Sequence, residues 1–278
     1  MKRYSTTLKN DDVDSIAIGG FDGIHVAHQK LISNLSANGL LVIIDKKNAT
    51  LTPLNHRCKY LDNGCVFFNF KKIRDFTAYE FIEFLKSEFK NLKKIVVGYD
   101  FRFGKGALGD ISLLKEIFDG EVVVVDEIIL DGVSVHSRVI RELLRVKNIK
   151  KANRLLGRKY EIVGEVIKGQ GIGKEKLFAT LNLKVENFLI PCEGVYASKT
   201  KIEDISYPSV TFIGNRVTTD GNYSIETHIL DDDLALVEGE ISICFVDFIR
   251  ENRKFENLEA LKNQISKDIQ KAKLIHFS

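Results

Sequence analysis

An apolar, strand-like run, Ile16-Ala17-Ile18, ends in the pair Gly19-Gly20. A turn, Phe21-Asp22-Gly23-Ile24, then leads to His25 and His28. Gln29-Lys30-Leu31-Ile32-Ser33-Asn34-Leu35 follows with helical spacing, so residues 28–35 are expected to be part of a helix. This order puts two imidazoles and several unpaired backbone N–H groups at a helix start, where donors and dipole attract anions. Imidazoles add directional donors, and the set suits a triphosphate. Two rival readings stand beside it: a metal half-site formed by the histidine pair, and a strand–turn–helix with no ligand. No further His or Cys at ligand spacing supports the metal.

The rest of the first half alternates strands and helices. Strands are expected over residues 15–19, 41–44, 66–70, 94–98 and 121–125, with helices over 77–89 and 111–118. Unbroken apolar strands separated by helices predict a parallel sheet covered on both faces. Ligands of such sheets bind beyond the carboxyl ends of the strands. Gly19-Gly20 and Gly98 both fall at such ends, which gathers two glycine-rich segments into one crevice.

The pattern changes near residue 157. Short strands are expected over residues 161–167, 194–199, 210–213, 224–230 and 240–249, with Gly, Asn and Asp turns between them. That spacing predicts an antiparallel sandwich or barrel. Leu258, Leu261, Ile265, Ile269 and Ala272 form the apolar stripe of a closing helix. Residues 140–158 read as a charged helical connector. The expected domains are therefore 1–150 and 151–278, and 278 residues suffice for two cores.

A net charge of +3 gives no argument for nucleic acid or an anionic membrane as partner. No run approaches the ~18 apolar residues of a membrane span, and no apolar core follows the basic N-terminal residues as in a secretory signal. The four cysteines, Cys58, Cys65, Cys192 and Cys244, include no Cys-x-x-Cys pair and are expected to be reduced thiols in a cytoplasmic protein.

Further candidate residues lie in both halves. Asp100, Phe101, Arg102 and Phe103 precede Gly104, Gly106 and Gly109; aromatic rings beside an arginine can hold a flat heterocycle and a phosphate, or else anchor a surface loop. His136-Ser137-Arg138 leads to Arg141 at a second helix start. In the second half, Gly169, Gly171 and Gly173 precede Lys174, a glycine loop with a cation. Thr180, Asn182, Arg216, Glu226 and His228 follow. Alternation puts Glu226 and His228 on one strand face. A carboxylate there can accept an alcohol proton, and a threonine hydroxyl can ligate magnesium.

Taken in order, these motifs resemble the bacterial bifunctional riboflavin kinase/FMN adenylyltransferase, or FAD synthetase, family. Gly19 to His28 matches Gly-x-Phe-Asp-Gly-x-His-x-Gly-His, with Ala27 in place of the glycine between the histidines. Val97 to Gly104 matches Val-Gly-x-Asp-Phe-x-Phe-Gly. Ser-Ser-Thr-x-Ile-Arg is matched at Ser137, Ile140 and Arg141, while His136 and Arg138 replace the first serine and the threonine. Pro-Thr-Ala-Asn reads Ala179-Thr180-Leu181-Asn182, and Glu-x-His is matched by Glu226-Thr227-His228. Lys174 stands for the usual arginine after the glycine loop, and Asn252 for a glutamate.

The resemblance implies an α/β N-terminal nucleotidyltransferase domain with a Rossmann-like parallel sheet. It also implies a C-terminal antiparallel β-barrel riboflavin kinase domain with a terminal helix. It assigns His25, His28 and Glu226 to catalysis. ATP and its phosphates fall to Gly19, Phe21, Asp22, Gly23, Ser137, Arg141, Gly169, Gly171, Gly173 and Lys174. The flavin falls to Asp100, Phe101, Phe103 and Arg216, and Mg²⁺ to Thr180 and Asn182. ATP, riboflavin, FMN and FAD are the implied substrates and products, so the partners are nucleotides and flavins. The alternative is a monofunctional FMN adenylyltransferase with a weak or inactive kinase domain, because Ala179, Leu181 and Asn252 depart from the pattern.

Overall fold

The structure, a computed structural model, describes all residues except 1, 5–8, 49, 62–63, 168–177, 217, 219–220, 231–236 and 278. It divides into two compact units, Met1–Ser137 and Arg138–Ser278.

The first unit holds strands β1 (Lys2–Tyr4), β2 (Ser15–Gly19), β3 (Gly39–Asp45), β4 (Cys65–Asn69), β5 (Lys94–Gly98) and β6 (Glu121–Val125), and a two-stranded ribbon of β7 (Ile129–Leu130) and β8 (Val133–Ser134). Its helices are α1 (Val26–Ile32), α2 (Phe70–Ile73), α3 (Ala78–Glu88) and α4 (Ile111–Ile117). The main sheet has the order β1-β4-β3-β2-β5-β6, with β2 to β6 parallel and β1 antiparallel on β4. From β2 the chain winds outward through β3 and β4, then returns to β5 on the other side. The switch in winding direction therefore falls between β2 and β5, where α/β sheets open a crevice.

Both faces are covered, as the unbroken apolar strands require. Ile16, Ile18, Leu40, Val42, Val66 and Phe68 pack toward Phe81, Ile82 and Leu85 of α3. Ala17, Leu41, Ile43, Cys65 and Phe67 pack toward Leu31 of α1. Helix α3 starts sharply because Thr77 and Glu80 form a reciprocal capping box.

One expectation fails here. Cys58 and Cys65 are not reduced thiols but a disulfide. The 3-10 segment Leu54–Tyr60 packs against the start of β4, which brings the two Cα atoms to 5.8 Å, within bridging range. Cys192 and Cys244 take part in no disulfide among the described residues.

The second unit begins within α5 (Ser137–Arg145), and α6 (Ile149–Leu156) follows, the helical connector expected from sequence. Strands β9 (Tyr160–Ile167), β10 (Leu181–Val185), β11 (Gly194–Ile202), β12 (Ile205–Asn215), β13 (Tyr223–Ile229) and β14 (Glu240–Arg250) form a closed barrel in the order β10-β13-β12-β11-β14-β9. Strand β10 was not anticipated, although Leu181, Leu183 and Val185 alternate with Asn182 and Lys184 over its five residues.

Helix α7 (Leu258–Phe277) lies against β11, β12 and β14, burying Ala272 with Val195, Ala197, Val210 and Ile249. Leu258, expected in its apolar stripe, is instead exposed at the helix start. A buried ion pair locks the helix down: Arg250 donates to both carboxylate oxygens of Asp268, at 2.8 to 3.0 Å. The barrel interior contains a polar knot. Ser198, Thr200, Ser209, Thr211 and Thr227 are fully buried and satisfy one another through hydroxyl bonds of 2.7 to 3.2 Å.

Candidate active sites

In the first unit a crevice opens at the carboxyl ends of β2, β5 and β6. Gly19, Gly20, Phe21, His25, His28, Gly98, Asp100, Phe101 and Ser137 line it, as do Tyr99, Asp126, Glu127 and His136. The two glycine-rich segments thus meet where the sequence placed them.

His25 is the N-cap residue of α1, which begins at Val26. Its Nδ1 accepts the His28 backbone N–H at 3.4 Å. The neutral ring therefore carries its proton on Nε2. The imidazole of His28 stacks on that of His25, with ring centroids 3.5 Å apart, and Phe21 packs against His28 at 5.0 Å.

The turn that presents these rings is strained. Phe21 has φ 52° and Ile24 φ 40°, a region that a β-branched side chain rarely adopts. Such conformations cost roughly 1–3 kcal/mol each and persist only where surrounding structure fixes them. The bracing is visible. The Asp22 carboxylate accepts the backbone N–H groups of Thr50, Leu51 and Thr52. The Gly23 N–H donates to Thr52 Oγ1 at 2.8 Å, and Ser137 Oγ donates to the Asp22 carbonyl at 2.6 Å. Arg57, almost wholly buried, donates to the Gly20 carbonyl at 2.8 Å and to the Leu54 carbonyl at 3.2 Å. Its guanidinium also sits over the Phe67 ring and 3.7 Å from Asp45. Burial pulls the Arg57 pKa down from its ordinary value, against the pull of Asp45 and Asp22.

Asp22 and Gly23, assigned to phosphates by the resemblance, thus brace the turn and are absent from the crevice lining among the described residues. Phe103 likewise packs in the core against Phe81 and stacks on Phe101, outside the lining. Arg141 lies one turn after Ser137 in α5 and belongs to the second unit. Arg57, Tyr99, Glu127 and His136 were not assigned from sequence. Their signal was faint, since only His136 and Arg138 stood out as departures from a motif.

In the second unit, Glu226 on β13 stands directly opposite Asn182 on β10 and Phe212 on β12. Arg216 Nη1 lies 3.3 Å from Glu226 Oε1, and both side chains are about one-fifth exposed (20 % and 19 %). Arg216, expected to meet flavin, is therefore paired with the expected base. His228, two residues along the same face, makes a 2.8 Å hydrogen bond between Nδ1 and the Ala179 carbonyl, just before Thr180. The substituted position Asn252 has a structural use: its Nδ2 donates to the Asn215 carbonyl at 2.8 Å, next to Gly214, whose φ is +141°. A Cβ at Gly214 would meet Glu193 and Asn252 at 3.0 and 3.2 Å. Gly169, Gly171, Gly173 and Lys174 lie outside the described residues.

Comparison with known proteins matches each half of the chain to a family. Residues 156–276 match the riboflavin kinase family and residues 8–139 the FAD synthetase family. The bifunctional riboflavin kinase/FMN adenylyltransferase of Buchnera aphidicola subsp. Schizaphis graminum is 31 % identical over 92 % of this chain and 92 % of its own. The protein of the same name from Escherichia coli K12 is 30 % identical over 91 % of this chain and 90 % of its own. A crystal structure described as a macrolide-efflux protein from Streptococcus pneumoniae shares the fold at a TM-score of 0.85, with 25 % identity and 94 % of each chain covered. Among the described residues no helix is long and apolar enough to cross a membrane. The chain belongs to the bifunctional riboflavin kinase/FMN adenylyltransferase family.

Proposed function

We infer that the chain performs two ATP-dependent transfers, one in each unit. In the second unit the γ-phosphate of ATP passes to the ribityl 5′-hydroxyl of riboflavin, giving FMN and ADP. In the first unit a phosphate oxygen of FMN attacks the α-phosphorus of ATP, giving FAD while pyrophosphate leaves. The observation that carries this reading is that each unit holds its own constellation: stacked imidazoles at a sheet's switch point, and a carboxylate on a barrel strand facing Asn182.

For adenylyl transfer, His25 and His28 donate to the charge that builds on the α-phosphate and the leaving pyrophosphate. Ser137 assists. Gly19 and Phe21 shape the phosphate turn, Asp22 and Gly23 keep it in its strained form, and Asp100 and Phe101 receive the flavin or nucleotide rings. Phe103 supports Phe101 from the core.

For phosphoryl transfer, Glu226 takes the proton of the 5′-hydroxyl as the new O–P bond forms. Arg216 holds the Glu226 carboxylate in place and stands ready for the flavin. His228 fixes the chain just before Thr180. The glycine loop of Gly169, Gly171 and Gly173, with Lys174, is assigned to the ATP phosphates. Asn182, opposite Glu226 in the barrel register, and Thr180, two residues before it, offer neutral oxygen donors, a set suited to Mg²⁺, which binds through few protein ligands together with substrate phosphates. Bound there, it would offset phosphate charge; positioning is the protein's larger share. We place the chain in the cytoplasm, where ATP is supplied.

Purified protein given riboflavin, ATP and Mg²⁺ should yield FMN and then FAD by chromatography. FAD formed only when FMN is supplied would remove the kinase assignment, and neither product would remove both.

A further inference from the structure

Among its described residues, the crevice of the first unit is lined by no lysine or arginine, although both its substrates are phosphate anions. Its cationic capacity lies in three imidazoles, and His136 is the third. His136 stands where the family motif has a serine. It immediately precedes Ser137, whose hydroxyl bond to the Asp22 carbonyl ties this segment to the turn that carries His25.

The ring of His136 is oriented by its neighbours. Tyr99 Oη lies 3.2 Å from His136 Nε2 and 3.3 Å from Glu127 Oε1. A phenol has one proton to give, and a carboxylate can only accept. Desolvation, and then the charge of Glu127, raise the Tyr99 hydroxyl above its ordinary value, so it stays protonated at neutral pH. Its proton therefore goes to Glu127, and its oxygen accepts from His136 Nε2–H. That bond fixes the tautomer and leaves Nδ1 with the lone pair that takes a proton.

We propose that His136 is a third phosphate-contacting imidazole of the adenylyl-transfer site, meeting an anionic oxygen of bound ATP or FMN through Nδ1–H when the ring is protonated. The inference rests on the adenylyltransferase reading of the first unit. The titratable groups that share the crevice with it are Tyr99 and Asp100 after β5, Asp126 and Glu127 after β6, and His25 and His28 at α1. The hydroxyl of Ser134 on β8 lies in the same lining.

The test is steady-state FAD formation from FMN and ATP, with riboflavin phosphorylation by the same preparations as the control for intact enzyme. His136→Asn is expected to lower kcat/KM about tenfold, chiefly through KM. A raised KM for ATP identifies the nucleotide as the ligand, and a raised KM for FMN identifies the flavin phosphate. His136→Ser should restore part of the loss, and Tyr99→Phe should show a smaller loss because the ring stays but its tautomer is released. His136→Asn with wild-type kcat/KM for both substrates, or with a fall in kcat alone at unchanged KM, overturns the inference. A wild-type protein that makes no FAD from FMN refutes instead the reading on which it rests.

Discussion

Arg57 donates from Nη1 to the Gly20 carbonyl at 2.8 Å, so a charged group buried behind the sheet holds the first peptide of the turn that carries His25. This guanidinium is almost wholly screened from solvent, and it also meets the Leu54 carbonyl, Asp45 and the Phe67 ring.

Arg57→Met therefore removes a buried donor and releases a strained turn together. Breaking a largely buried charged interaction typically costs about 3 kcal/mol. Urea unfolding should show a loss of about that size in the first unit, and FAD formation should fall more than riboflavin phosphorylation. Unchanged stability would mean that the turn holds its shape without this contact.

Asp268→Ala should be the most disruptive single change on helix α7. It leaves the Arg250 guanidinium without the carboxylate that takes three of its hydrogen bonds. A loss of about 3 kcal/mol is expected, from the same class of broken buried pair. Thermal unfolding followed by circular dichroism reads this directly, and replacing both residues with apolar ones of similar size should recover part of the loss.

His276, in the last turn of α7, gives the second unit an acid sensitivity. Burial lowers its pKa below the ordinary histidine value, against a hydrogen bond to the Ser209 carbonyl. The folded state then binds fewer protons than the unfolded state in the window from the ordinary value, about 6.5, down to the lowered folded one. Stability should be full above that window and fall as pH drops through it. His276→Gln should flatten this slope in denaturation measured from pH 7.5 to 5. An unchanged slope would assign the acid sensitivity to other groups.

The parallel sheet and its crevice were legible in the sequence because apolar runs such as Ile95-Val96-Val97 are buried on both faces and end in glycine. His25 and His28 were legible because a strand, a turn and a helix start leave them one place to go. The barrel was legible as a set of short strands but not in its orientation, since Ser198, Thr200, Ser209, Thr211 and Thr227 point inward, against the usual rule that hydroxyls face water. Strand β10 was passed over although Leu181, Leu183 and Val185 alternate with polar residues; the run is only five residues long, and it pairs with β9 and β13. The second role of Asp22, as a clasp for residues 50–52, depends on a loop some 30 positions away. No local pattern encodes such a contact. The same holds for the Cys58–Cys65 bond, which follows from packing of a 3-10 segment against β4.

The central claim is that two chemically separate sites share this chain, and one comparison tests it most directly. Wild type, Glu226→Ala and His28→Ala are each supplied with riboflavin or with FMN, plus ATP and Mg²⁺, and the flavins are resolved by chromatography. Glu226→Ala should make no FMN yet convert supplied FMN to FAD at the wild-type rate. His28→Ala should accumulate FMN while FAD formation falls by about 10²–10³. Loss of both products from either substitution, in protein that still unfolds cooperatively, would contradict the account.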